Sequence, residues 1–142
     1  MGTKAFNLNN SDTLKVGLAT GTFNWVTATQ AYTSVSDFLG NAGSGGGGAL
    51  TEEAGSGYSR QTLTSVTFTQ SGLVNTLTCA NPSWSSATFS DKYAFFYDAV
   101  VDTNDTTRKL LCYWDFGGTQ STTAATFTLT ISGSGLVTWT SS

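Results

Sequence analysis

Two aspartates, Asp98 and Asp115, sit inside otherwise apolar runs, KYAFFYDAVV (92–101) and KLLCYWDF (109–116). Paired carboxylates at the right separation divide acid and nucleophile roles in glycoside hydrolysis. Their register across a hairpin is open at this level. The plainer role is that of hydrogen-bonded carboxylates paired to Lys92, Arg108 or Arg60. Asp115 also begins Asp-Phe-Gly, the triplet that holds Mg²⁺ in kinases beside an H-R-D loop. The chain has 142 residues and no histidine, so neither that loop nor two lobes can be present. The many serines also lack a histidine base, and no S-x-x-K occurs.

Other groups invite chemistry in the same way and fall short of it. GNAGSGGGG (40–48) suggests a phosphate loop but leads into Ala49-Leu50-Thr51-Glu52-Glu53, with no Gly-Lys-Ser/Thr ending. A flexible loop is the expected state, either a mobile arm or a segment that orders against a neighbour. Asp102, Asn104 and Asp105 loosely resemble a calcium loop, without the glycine and distal glutamate of the EF-hand. Glu52-Glu53 reads as a solvated turn. Cys79 and Cys112 offer too few ligands for a metal and are expected as free thiols, a single disulfide being the alternative. Trp25, Trp84, Trp114 and Trp139 are open to sugar stacking, with core packing as the plainer role. No catalytic residue, metal or cofactor is expected.

What must position these residues is a set of strands. Charged residues are 11% of the chain against 39% hydrophobic and 13% aromatic, which argues against disorder. Threonine and aromatics favour strands; glycine, asparagine and serine favour turns. The net charge is −3, and the longest basic run is Arg108-Lys109, too little for a nucleic-acid face. No apolar run approaches a membrane span, and the first residues lack a secretory h-region.

Leu14, Val16 and Leu18 alternate as in a half-buried strand. Val35, Phe38 and Leu39 suit a short helix near 33–39. Strands are then expected at 58–63, 65–70, 73–79, 84–89, 92–101, 109–116, 125–132 and 136–140. The fold expected is all-β: one antiparallel β-sandwich or jelly-roll-like barrel over 1–142, with at most one short helix, an N-terminal arm at 1–13 and a long flexible Gly-rich loop at 40–57. Phe127, Leu129 and Ile131 point inward, and the alternating threonines outward. The 92–116 hairpin differs, being apolar on both faces, with Ala94, Phe96 and Val100 on one and Tyr93, Phe95, Tyr97 and Val101 on the other. Both faces need cover, from the protein's own loops and helix or from a neighbouring subunit.

Three stretches carry a resemblance: GSGYSRQTL (55–63), VTFTQSGLVNTLTCANPSWSSATFSDKYAFFYD (66–98) and RKLLCYWDFGGTQSTTAATFTLTISGSGLVTWT (108–140). In their order of aromatic strand, polar loop, Asp-Phe-Gly turn and Thr-rich C-terminal hairpin, they resemble a family of small tailed-bacteriophage virion structural proteins. That family includes head-decoration or cement proteins and head-fibre-like proteins. The resemblance implies a protein made in the host cytoplasm and placed on the virion head. It would bind the major capsid protein, with no direct nucleic-acid or membrane contact, and form a homo-oligomer, a trimer being favoured. The alternative implied is a head-fibre or tail adhesion module for host glycans. The contact residues expected are Phe95, Tyr97 and Trp114, taken with Cys112 as one face, and Gly45, Gly46, Gly47 and Gly48 of the loop.

Overall fold

The computed structural model describes residues 13–22, 34–40, 50–99 and 104–140. Eight strands and one helix follow in the order β1 (Leu14–Gly21), α1 (Val35–Gly40), β2 (Leu50–Glu52), β3 (Gln61–Thr62), β4 (Thr67–Ser71), β5 (Val74–Thr78), β6 (Ser83–Asp98), β7 (Leu110–Thr128) and β8 (Val137–Thr140). They form two antiparallel sheets. The larger runs β2-β1-β6-β7, with β3 also on β1; the smaller runs β4-β5-β8. The architecture is all-β with one short helix, as the composition implied.

The body is a ribbon of two long strands. β6 spans 16 residues and β7 spans 19. Each absorbs two of the shorter strands expected from sequence. The polar stretches between them, Ser90-Asp91 and residues 117–124, remain within the two strands: Ser90 pairs with Ser121, their hydroxyls 2.7 Å apart, and Asp91 pairs with Gln120. Four register shifts and the positive φ of Ser86, Gly117 and Ala124 bend the ribbon without ending it. Asp115-Phe116-Gly117 is accordingly a kink inside a strand and not a strand terminus. The Asp115 carboxylate accepts the Gly117 amide at 2.8 Å and fixes that kink.

Register decides which side chains share a face. Phe95 lies opposite Tyr113, Phe96 opposite Cys112 and Ala94 opposite Trp114. Cys112 and Trp114 therefore belong to the Ala94–Phe96 face, and the expected grouping with Phe95 and Tyr97 is corrected. The period of two along each strand is legible in sequence, but the offset between strands is set by the turn and by a bulge at Leu111.

Both faces of the hairpin are covered from within the chain. Leu14, Val16, Leu18, Ala94 and Phe96 join Leu63, Leu77, Trp84, Phe89, Leu129 and Leu136 in the larger core. On the other side Tyr93, Phe95 and Tyr97 are roofed by Val35 and Phe38 of α1 and by Leu50. The helix forms where expected because Ser34 and Asp37 cap it reciprocally, each side chain accepting the other's amide at 3.1 Å. Phe38 then meets Phe95 and Tyr113 with ring centroids 5.7 and 5.2 Å apart. Gly17, opposite Phe95, completes the fit: a Cβ there would stand 2.2 Å from the Phe95 ring.

Two more expectations change. The flexible loop assigned to 40–57 is shorter at its far end, since Leu50–Glu52 pair with Ala19–Gly21 as β2; residues 41–49, with Gly45 to Gly48, lie outside the described residues. The C-terminal strand β8 does not form a hairpin with the segment before it. It crosses to the smaller sheet and pairs with β5, the turn held by a Gly135 amide to Ser132 carbonyl bond of 2.9 Å.

Candidate functional site

The expected contact residues separate once placed. Phe95 and Tyr97 are almost wholly buried and serve the subunit's own core. Beyond α1, their rings lie beneath the Arg60 guanidinium, 5.3 and 5.1 Å from it. Neither offers surface to a partner. Trp114 does: it is half-buried, packed on Phe96 with centroids 5.1 Å apart.

Trp114 forms one wall of a groove of about 340 Å³, lined also by Phe116, Gln120, Phe127, Thr128, Leu129 and Thr130. A straight strand would hold Phe116 and Phe127 roughly 35 Å apart. The kinks of β7 bring their rings to 6.4 Å. The groove floor is rigid, because Phe127 packs edge-on against Phe89 at 5.2 Å and tilted against Trp84 at 6.0 Å. Trp84 is core, its indole N–H donating to the Ser59 carbonyl at 2.6 Å. Phe116 and Phe127 escaped the sequence reading as a site because they fall in segments that read as separate strands. The Gly117-Gly118 pair beside an aromatic run is the signal that the strand could fold back on itself.

The ionisable residues build a clamp. Arg60 donates to Glu52 from Nε at 2.6 Å and to Asp105 from Nη1 and Nη2 at 2.7 and 2.6 Å. Arg108 adds a 2.7 Å bond to Asp105. Tyr58 donates to Glu52 at 2.8 Å and accepts the Leu18 amide at 3.0 Å. The triplet Tyr58-Ser59-Arg60 thus ties β1, β2, β6 and the 104–108 turn together. Burial by itself would lower the pKa of Arg60; its bonds to Asp105 and Glu52 reverse that and keep it charged. The Arg60 bonds hold the Asp105 carboxyl below its usual range despite burial.

This corrects two readings. Glu52 is an ion-pair partner, not part of a solvated turn, and Asp105 faces two guanidiniums, which leaves it unsuited to calcium. Asn104 turns inward on its own loop, accepting the Thr106 amide at 3.1 Å. Asp98 and Asp115 do not form a catalytic pair. Asp98 lies opposite Leu14 at one end of the ladder, while Asp115 lies opposite Tyr93, five positions along and on the other face. Among the described residues no cluster of three or more metal-ligating side chains occurs.

Two further groups are perturbed. Both cysteines are free; burial pushes the Cys112 thiol up to about 12, with the nearby Cys79 adding to it. Asp91 is wholly buried, and neither carboxyl oxygen meets a donor. Burial and then the adjacent Glu53 push it up to about 8. Glu53 itself accepts the Ala54 and Gly55 amides. Burial disfavours the charged form, and the negative charge nearby adds to that, so Asp91 holds its proton well above the usual carboxylate range. No family model, curated protein or solved structure matches the chain.

Proposed function

We propose that the protein is a structural component of a bacteriophage virion, a decoration or cement protein that seats on the assembled head and stabilises it. The Trp114 groove carries the reading. It is an aromatic seat on a strand that the core holds rigid, able to take an apolar segment of the major capsid protein or of a neighbouring copy. The body around it suits that task, since the part-buried charges of Arg60, Glu52, Asp105 and Arg108 are spent on one another in the clamp. The resemblance of residues 55–63, 66–98 and 108–140 to virion proteins supports the same assignment. In this reading the subunits act as trimers on the head surface. Cement works by mass action: what binds the intact lattice and not its separated parts shifts the equilibrium toward the lattice. Each contact can be weak because many copies act together.

The test is a heat-release assay on particles made without this protein. Such heads should assemble and then burst at lower temperature than complete ones, and purified protein should restore them. Trp114→Ala should fail to restore them while remaining folded. Unchanged heat stability of depleted heads, with loss of adsorption to host cells, would overturn the assignment. Light scattering at micromolar concentration checks the trimer.

A further inference from the structure

The free end of the smaller sheet carries a second surface, independent of the groove. Phe68 and Trp139 are 39% and 38% exposed, yet their rings stack with centroids 5.3 Å apart and planes 30° from parallel. Their register explains both facts. Phe68 lies opposite Leu77, and Trp139 lies opposite Asn75. Opposed residues of an antiparallel pair share a face, so both rings stand on the side of the sheet that Leu77 uses to join the core. The large sheet does not extend over them, and the two rings meet diagonally across β5. Gln70, Asn75 and Trp139 form one rung of the three strands, which places an exposed carboxamide at Gln70 on the edge opposite the indole.

The surroundings fix the class of ligand. No charged residue occurs from Gln61 to Ser90 or from Phe116 to Ser142, so all three strands and their turns are neutral. A nucleic acid or an acidic peptide would find no cation on these strands. The apolar surface is also divided. Val74, 44% exposed, lies opposite Ser71 and Thr140 and therefore on the reverse face, while Leu73 sits in the β4–β5 turn. What remains on the Phe68–Trp139 side is two rings, far below the roughly 800 Å² per partner of a stable protein interface. A stacked aromatic pair with a carboxamide beside it, on neutral and hydroxyl-rich strands, matches a sugar ring: C–H groups pack on an outer face of the stack and hydroxyls take the amide.

We propose that the free end of the β4-β5-β8 sheet is a binding platform for neutral carbohydrate, with an outer face of the Phe68–Trp139 stack packing on a pyranose ring and Gln70 hydrogen-bonding its hydroxyls. This holds whether or not the protein sits on a capsid, and it concerns different residues from the groove. The test titrates the isolated full chain with cellohexaose, maltohexaose, mannohexaose and galactohexaose by calorimetry, with saturation-transfer NMR on the wild type. At least one should bind, with transfer from aromatic protons to sugar ring protons. Trp139→Ala and Phe68→Ala should weaken that affinity by roughly two- to tenfold, the worth of a lost stacking contact. Trp114→Ala should leave it unchanged. Gln70→Ala provides a variant that leaves the aromatic pair intact and should weaken binding to a smaller extent. No binding by any of the four, or binding indifferent to Trp139→Ala, would overturn the proposal. So would a self-association abolished by Trp139→Ala in a protein that ignores all four sugars. Failure of head stabilisation in the particle assay leaves this result untouched.

Discussion

Asp91 makes stability depend on pH in an unusual direction. Its folded-state value of about 8 lies above the ordinary 3.8, so between those values the folded chain holds a proton that the unfolded chain has released. Stability from this group is therefore full at low pH and declines as pH rises through the window from about 4 to about 8, by at most ~1.4 kcal/mol per pH unit. Asp105 works the other way: its depressed value contributes stability above 3.8 that is lost as pH falls through the folded value. Denaturant midpoints should thus peak in mild acid. Asp91→Asn should flatten the decline toward pH 8 and be more stable than the parent there, with no gain at pH 5. A parent whose midpoint rises from pH 5 to pH 8 would contradict the assignment of the proton. Cys112, pushed up to about 12, should in turn resist alkylation at pH 8 until denaturant is added, because almost no thiolate forms in the folded chain. None of these values was legible in the sequence, since they arise where Glu53 meets Asp91 and Cys79 meets Cys112 across distant segments.

At the scale of elements, alternation was readable and continuity was not. Leu14-Val16-Leu18 and the Ser34–Asp37 cap lie within a few residues of one another, and local chemistry settles them. The joining of 84–89 to 92–98 runs through the Ser90 and Asp91 rungs with a register shift after them, and that of 110–116 to 125–128 depends on Gly117 and Ala124 taking positive φ, which residues other than glycine rarely adopt. Packing, and not propensity, holds Ala124 there. The pairing of β8 with β5 likewise follows from where the core ends. Gly17 marks how tightly two strands are fitted. Gly17→Ala would drive a methyl into the Phe95 ring, and the shift required should cost about 1–3 kcal/mol. An unchanged melting temperature in that variant would mean that Phe95 can move aside, against its complete burial beneath α1.

For the whole molecule, charge and neutrality are segregated. The Arg60 clamp ties β1, β2 and the 104–108 turn, whereas the β4-β5-β8 sheet carries no charge. Arg60→Met should cost about 2 kcal/mol, less than a fully buried pair because Glu52 and Asp105 remain 29% and 32% exposed. Added salt should reduce that difference, since screening relieves the stranded carboxylates. The candidate contact site was half legible: Trp114 stood out by type, but Phe95 and Tyr97 looked equally available until α1 and Arg60 were seen to cover them. Trp139 was one tryptophan among four, and only the register that sets it beside Phe68 distinguishes it.

The β6–β7 ribbon also imposes an order of events on folding. Its rungs run outward from Tyr97↔Leu110, next to the turn, to Ser83↔Thr128 at the far end. Each new rung closes only a slightly longer loop than the last, so the ribbon can zip from the turn outward at little added entropic cost. β8 must wait, because its partner β5 lies far earlier in the chain. Substitutions at Tyr97 or Leu110 should therefore slow refolding, whereas Val137→Ala in β8 should leave refolding nearly unchanged and speed unfolding. Stopped-flow chevrons of the two classes would separate these limbs. Equal slowing of refolding by Val137→Ala would place β8 in the nucleus and remove the zipper.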